Sequence, residues 1–398
     1  MHEKPTDIRS PRQLRIACAV FYFISGFGYS TWASRIPAIK HTLNLNEAQL
    51  GSVLFAMPIG LMLTMPLTNE LLRRYTSRAV MLFGSLFFCV IILIIGYLNN
   101  VWQLVAMLFC FGSARNLMTL SINTQGVAVQ ALYSRSIMAT FHGIWSLAGF
   151  AGAAVGYLMV YFNIALQYHF LFVSIGLFVL TLYFINDTLN QQPVQHARKP
   201  VFSLPDKFLL KFSLICFGSM ACENAMYDWS AIYFQKTIHS EKATATAAFV
   251  LYMVAMTTGR FVGDKLVTRF GIKAVLKYSG IFIFGGLMLA VALPFAATVM
   301  AGFVLTGFGV SCVVPMIFSL AGKSKNMSSS SALASISTIG YTGFLVVPPF
   351  VGYIAHVSSI RLSFGIIAFF GVMIVWLVSK LRTEDSHSAA ETGVLPEE

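Results

Sequence analysis

Counting from the ends of the long apolar stretches of the 398-residue chain places Arg115, His142 and Glu223 deep within them. Glu223 lies 12 residues beyond Lys211, about 18 Å along a helix. Burying a carboxyl favours its protonated form, which suits a proton carrier; a Glu held by a polar neighbouring helix is the other reading. His142 is the only histidine that counting places deep in a stretch. An imidazole there either relays a proton or packs through a hydrogen bond. Arg115, Thr119 and Asn123 recur at i, i+4 and i+8, so they share one helix face. The planar donor fork of an arginine grips an anionic or hydroxyl-rich solute. Asn116 and Gln125 add amides to that stretch, and Asn224 adds one beside Glu223. Amides in such places bind solute or bond between helices.

Tyr22, Ser25, Tyr29 and Trp32 follow spacings of 3, 4 and 3, giving an aromatic face with a polar edge. Such a face stacks on a sugar ring, or packs against helices and lipid. Tyr227 and Trp229 flank Asp228, which is expected to pair with Arg35 as an outer gate. Arg260 precedes Asp264 by one turn, a spacing that allows an i, i+4 bond in an inner gate. The chain carries no G-x-x-x-x-G-K-S/T phosphate loop, dinucleotide fingerprint or zinc motif. Its six cysteines lie in apolar runs without C-x-x-C spacing. These readings exclude an enzyme, call for no cofactor, and leave an ion gradient rather than ATP as the driving force.

The elements that position these residues follow from composition. Hydrophobic residues make up 57% and charged residues 11%, against about 25% charged in a soluble domain. That fraction is too small to clothe a water-exposed surface, so the partner is a lipid bilayer. A helix needs about 20 apolar residues to cross it. Twelve such stretches are expected, at 14–34, 49–70, 79–98, 101–127, 136–160, 165–185, 208–234, 243–266, 274–293, 295–319, 332–355 and 362–380. Their continuous apolarity excludes a β-barrel. The first follows a short basic N-terminus and is too long for a signal-peptide core, so it reads as an uncleaved span. Gly149, Gly152 and Gly156 allow close helix approach, and Pro348-Pro349 is expected to break or kink its helix.

The net charge of +12 suggests nucleic acid until its carriers are placed. With the N-terminus inside, 20 of the 27 Lys and Arg fall in inner segments and 5 in outer ones. That bias puts both termini in the cytoplasm and removes the case for nucleic acid. The polar inner loop at 186–206 divides the chain into halves at 1–185 and 207–382, and the acidic tail at 383–398 is expected to be disordered.

The halves repeat. Asn69–Val80 aligns with Asp264–Val275, Trp32 with Trp229, Phe111-Gly112 with Phe308-Gly309, and Gly156-Tyr157 with Gly352-Tyr353, all at offsets of 195–197. The loops after stretches 2 and 8 resemble the signature loop Gly-x-x-x-Asp-Arg-x-Gly-Arg/Lys-Arg/Lys of the major facilitator superfamily. The second copy keeps Arg269, Gly271 and Lys273; the first departs from it with Asn69, Arg73 and Thr76. Further stretches resemble a bacterial YbjJ-like group related to fucose permease: Trp32–Ile39, Phe141–Leu147, Glu223 with Asp228-Trp229, Gly259–Gly263, and Gly340-Tyr341 with Pro348–Tyr353.

The resemblance implies an all-α integral membrane protein of twelve helices in two pseudo-symmetric six-helix halves, in a bacterial inner membrane as a monomer. It implies alternating access, with spans 1, 4, 7 and 10 lining the cavity. On that basis Arg115 and Glu223 face each other, as an exchangeable ion pair or a static one. The expected cargo is a small polar organic solute, a sugar or sugar derivative, moved with protons; a proton-driven exporter of amphipathic compounds is the alternative, and a non-transporting sensor a remote one. Glu223 and His142 are the expected proton-coupling residues. Arg115, Asn116, Thr119, Asn123, Tyr29, Trp32, Asn224 and Tyr227 are the expected solute contacts. Arg35, Asp228, Arg74, Arg260, Asp264 and Arg269 are the expected gating residues.

Overall fold

The computed structural model describes residues 9–133, 137–190, 209–321 and 329–381. Within them the chain is helical, with no strand. The first group of helices comprises α1 (Pro11–Ser34), α2 (Ile36–Thr42), α3 (Glu47–Leu54), α4 (Ala56–Arg74), α5 (Ser77–Ile95), α6 (Val101–Gln130), α7 (Met138–Tyr161) and α8 (Leu166–Phe184). After a 3-10 turn at Ile185–Asp187 come α9 (Leu209–Ile238), α10 (Lys242–Phe270), α11 (Ile272–Ala292), α12 (Ala296–Ser311), α13 (Val313–Ala321), α14 (Ser329–Val357) and α15 (Ile360–Ser379). Most of the expected linker and the whole tail at 383–398 lie outside the described residues.

Local chemistry sets the ends. Ser10 caps α1 in a reciprocal box with Gln13, and Pro11 occupies the first turn, where its missing N–H costs nothing. Asn100 and Ser359 accept backbone N–H groups at the starts of α6 and α15. Eleven helical segments among the described residues are long and apolar enough to cross a membrane. The twelfth span is α9, thirty residues and roughly 45 Å long. It carries Lys211, Glu223, Asp228 and Lys236, yet Leu209 and nearly every residue from Phe212 to Phe234 is buried or half-buried.

The chain packs as two compact units, Met1–Asn44 with Val53–Lys199 and Leu45–Ser52 with Pro200–Glu398. Within the first, α1 packs on α7, α4 and α5 on α6, and α5 on α8. Within the second, α9 packs on α14, α10 and α11 on α12, and α11 on α15, the same arrangement repeated. Glycines permit the closest crossings. A Cβ on Gly60 would collide with the Phe109 carbonyl oxygen, and one on Gly112 with that of Met57. Gly152 and Gly156 likewise seat α7 against Phe27 and Ser34 of α1, a packing role for that small-residue stripe.

Residues 45–52 pack in the second unit. There Gly51 and Gly352 let α3 approach α14, and Lys236 Nζ lies 2.5 Å from Glu47 Oε1. α14 also runs unbroken through Pro348 and Pro349, so the expected break is absent. The degenerate first signature loop has a backbone explanation. α10 ends at Phe270 and turns through Gly271 at φ 79°, which a glycine adopts freely. α4 ends one residue earlier in register, Tyr75 is extended, and Thr76 at φ −64° caps α5 through Ala79 N–H. No glycine is needed there.

Candidate functional site

In the second unit the polar centre lies where α9, α10 and α12 meet. Glu223, 8% exposed, sits midway along α9. Its Oε1 is 3.3 Å from Arg260 Nη2 of α10. Arg260 Nε also donates to the Ser311 carbonyl, at 3.4 Å. That carbonyl is available for a chemical reason. In a helix it would accept from residue 315, but Pro315 has no N–H. Span 10 is accordingly interrupted at Cys312, between α12 and α13. Arg260 thus holds a carboxylate and the carbonyl end of a broken helix at once, where the helix dipole favours a cation. Asn224, 4% exposed, has its Nδ2 without a hydrogen-bond partner. Tyr227 packs edge-on to Phe249 and Tyr252 at 5.6 and 6.1 Å, and Asp228 is buried one turn past Asn224.

In the first unit the polar face runs along α6. The Arg115 guanidinium lies 3.7 Å above the Tyr29 ring centroid, a cation–π stack. Asn116 is buried with its Oδ1 unpartnered, and Thr119 is half-buried. Tyr22 O–H donates to Asn123 Oδ1 at 2.8 Å. The Tyr22 ring stacks on Phe141 at 5.2 Å and meets exposed His142 edge-on at 5.5 Å. Gln125 is held to Ser77 Oγ and to both backbone groups of Leu189, so it bonds between elements.

A family profile, the Major Facilitator Superfamily, matches residues 18–331. The chain belongs to that superfamily. An uncharacterized MFS-type transporter of Yersinia pestis is 30% identical over 89% of this chain and 92% of its own length. The membrane protein MosC of Rhizobium meliloti is 27% identical over 91% and 89%. Among solved structures, a mutant of the nucleoside transporter NupG superposes with a TM-score of 0.73 at 13% identity, covering 92% of this chain and 99% of that one. A bacterial homolog of the human lysosomal transporter Spinster, inward-facing and occupied, gives 0.71 at 13% identity over 93% and 97%. The fold is therefore that of a multi-pass transporter of small-molecule solutes, not of an enzyme.

Several side chains of this transporter lie elsewhere than spacing suggested. Arg260 reaches Glu223 instead of Asp264, whose side chain is exposed. Arg35 Nε donates to His169 Nδ1 at 2.9 Å and its Nη2 to the Ile164 carbonyl at 2.6 Å, both within the first unit. Burial lowers the Arg35 guanidinium to about 10, so it stays charged at neutral pH. Arg74 pairs with Glu70 in its own helix at 2.5 Å, and Arg269 lies over the Phe270 ring at 5.4 Å. Trp32 is buried against Phe111 at 6.0 Å, a packing contact. His142 is exposed, and a different histidine, His169, is fully buried. It stands three residues into α8, so counting from the span end left it at the surface. Pro315, four residues after Ser311, was the unread signal for the freed carbonyl.

Proposed function

We propose that this transporter couples proton movement to the passage of a small polar organic solute, a sugar or sugar derivative, by alternating access in a bacterial inner membrane. The observation that carries the proposal is the Glu223–Arg260–Ser311 arrangement. Protonating Glu223 removes a negative partner of Arg260 and weakens its hold on α9, while its bond to the broken helix's carbonyl remains. Proton binding thereby loosens the link between α9, α10 and the interrupted span 10. His142, exposed beside Tyr22, is the second proton-handling group. Arg115, Asn116, Thr119, Asn123 and Tyr29 supply the solute contacts of the first unit; Asn224 and Tyr227 supply those of the second. Two features support a hydroxyl-rich cargo: buried amide atoms without partners, and the stretches resembling the YbjJ-like, fucose-permease-related group. The protein acts as a monomeric symporter with both termini cytoplasmic.

The test is uptake into proteoliposomes under an inward proton gradient, with a panel of sugars and sugar derivatives. Wild type accumulates its solute. Glu223→Gln exchanges solute in counterflow but does not accumulate it. Equal gradient-driven accumulation by Glu223→Gln removes the proton role. Movement of amphipathic compounds with no sugar flux replaces this reading with the exporter.

A further inference from the structure

We infer that the solute carries a negative charge, a carboxylate on a polar frame, and that Arg115 receives it. The inference rests on the α6 face being a solute-contact surface. Arg115 lies at the middle of α6, 14 residues from Val101 and 15 from Gln130. Among the described residues its guanidinium makes no hydrogen bond or ion pair, and it stacks on the Tyr29 ring. Stacking uses the face of the guanidinium and leaves its five N–H donors, all on the edge, unspent.

Several other arginines in or beside spans are committed to polar partners. Arg260 holds Glu223 and Ser311. Arg35 holds His169 and Ile164. Arg78 bonds to Thr188, and Arg73 and Arg74 share Glu70. Among the described residues the first unit has no acid to spare. Its described carboxylates are Glu70, taken by those two arginines at the end of α4, and Asp187, 3.2 Å from Arg9. A cation at mid-span without a fixed counter-charge is rare and marks a ligand or ion path.

The neighbours of Arg115 fit an oxygen-rich frame around the charge. Asn116 presents a buried amide atom without a partner, Thr119 a hydroxyl one turn along, and the Tyr22–Asn123 pair a further turn. A carboxylate accepts two parallel N–H bonds from the free edge, and hydroxyls meet the amide and Thr119. A neutral sugar would leave the charge unanswered.

Thermal melting of the purified full-length protein tests this with matched pairs at equal ionic strength: glucuronate and glucose, galacturonate and galactose, gluconate and glucitol, with chloride alone as a further arm. At least one acid raises Tm while its neutral partner does not. Arg115→Gln weakens binding of that acid about tenfold or more, and Arg115→Lys weakens it less. Because Arg115 only stacks, Arg115→Gln keeps its unliganded Tm near wild type. Equal stabilisation by neutral partners, by chloride alone or by no acid overturns the inference, as does undiminished acid binding by Arg115→Gln. Proton-driven flux of neutral sugars alone refutes it while leaving the proposed function standing. Acid binding that needs Arg115, with flux indifferent to Glu223→Gln, removes the proton role and keeps the inference.

Discussion

At the residue scale, Glu223 and Arg260 are worth more as a pair than either is alone. The two side chains are 10% and 18% exposed, and removing one partner of a buried pair leaves an uncompensated charge. Arg260→Ala is expected to cost about 3 kcal/mol, seen as a fall in Tm, and Glu223→Gln in the same chain should recover much of it. His169→Leu leaves Arg35 Nε buried without its acceptor, a loss of about 1–3 kcal/mol; His169→Gln, which can still accept, loses less. Glu223 was legible in the sequence, because a carboxylate in an apolar stretch has few ordinary uses. Its partner was not. Spacing reports only neighbours on one helix, which made Asp264 the natural choice for Arg260, whereas the bond formed spans 37 residues and depends on how α10 packs on α9.

Elements carry a second set of consequences. Gly112→Ala forces a Cβ against the Met57 carbonyl and should separate α4 from α6, leaving little folded protein in size-exclusion chromatography. Gly176→Ala, where a Cβ meets nothing within 4 Å, should behave as wild type. Pro315→Ala restores the N–H that the Ser311 carbonyl lacks. The expected result is a more stable protein, by up to about 3 kcal/mol, with slower uptake in proteoliposomes because the joint at Cys312 is mended. Span positions were legible because a bilayer demands long apolar runs. Interruptions were not. Pro58 and Pro315 coincide with breaks at Phe55 and Cys312, while Pro348 and Pro349 sit inside continuous α14. A proline removes one donor wherever it stands; whether the helix stops is decided by what surrounds the freed carbonyl.

For the whole molecule, the sequence repeat and the repeated packing agree, since four matches at offsets of 195–197 fall in helices that pack alike in each unit. Residues 45–52 escape that logic, because nothing in their sequence announces Gly51 meeting Gly352. The placement of the basic residues predicts orientation: a C-terminal green fluorescent protein fusion should glow and a C-terminal alkaline phosphatase fusion should be inactive in a bacterial host. The polarity of α9 also bears on synthesis. Glu223 and Asp228 each add about 2.5–3.5 kcal/mol to insertion near a helix centre, so α9 is a poor candidate to leave the translocon unaided. Arg260 arrives only with α10, which begins at Lys242, four residues after α9 ends at Ile238. Insertion of α9 is therefore expected to depend on α10, the two entering the lipid as a hairpin, and truncation of the chain before Lys242 should leave α9 poorly inserted in a glycosylation-mapping assay.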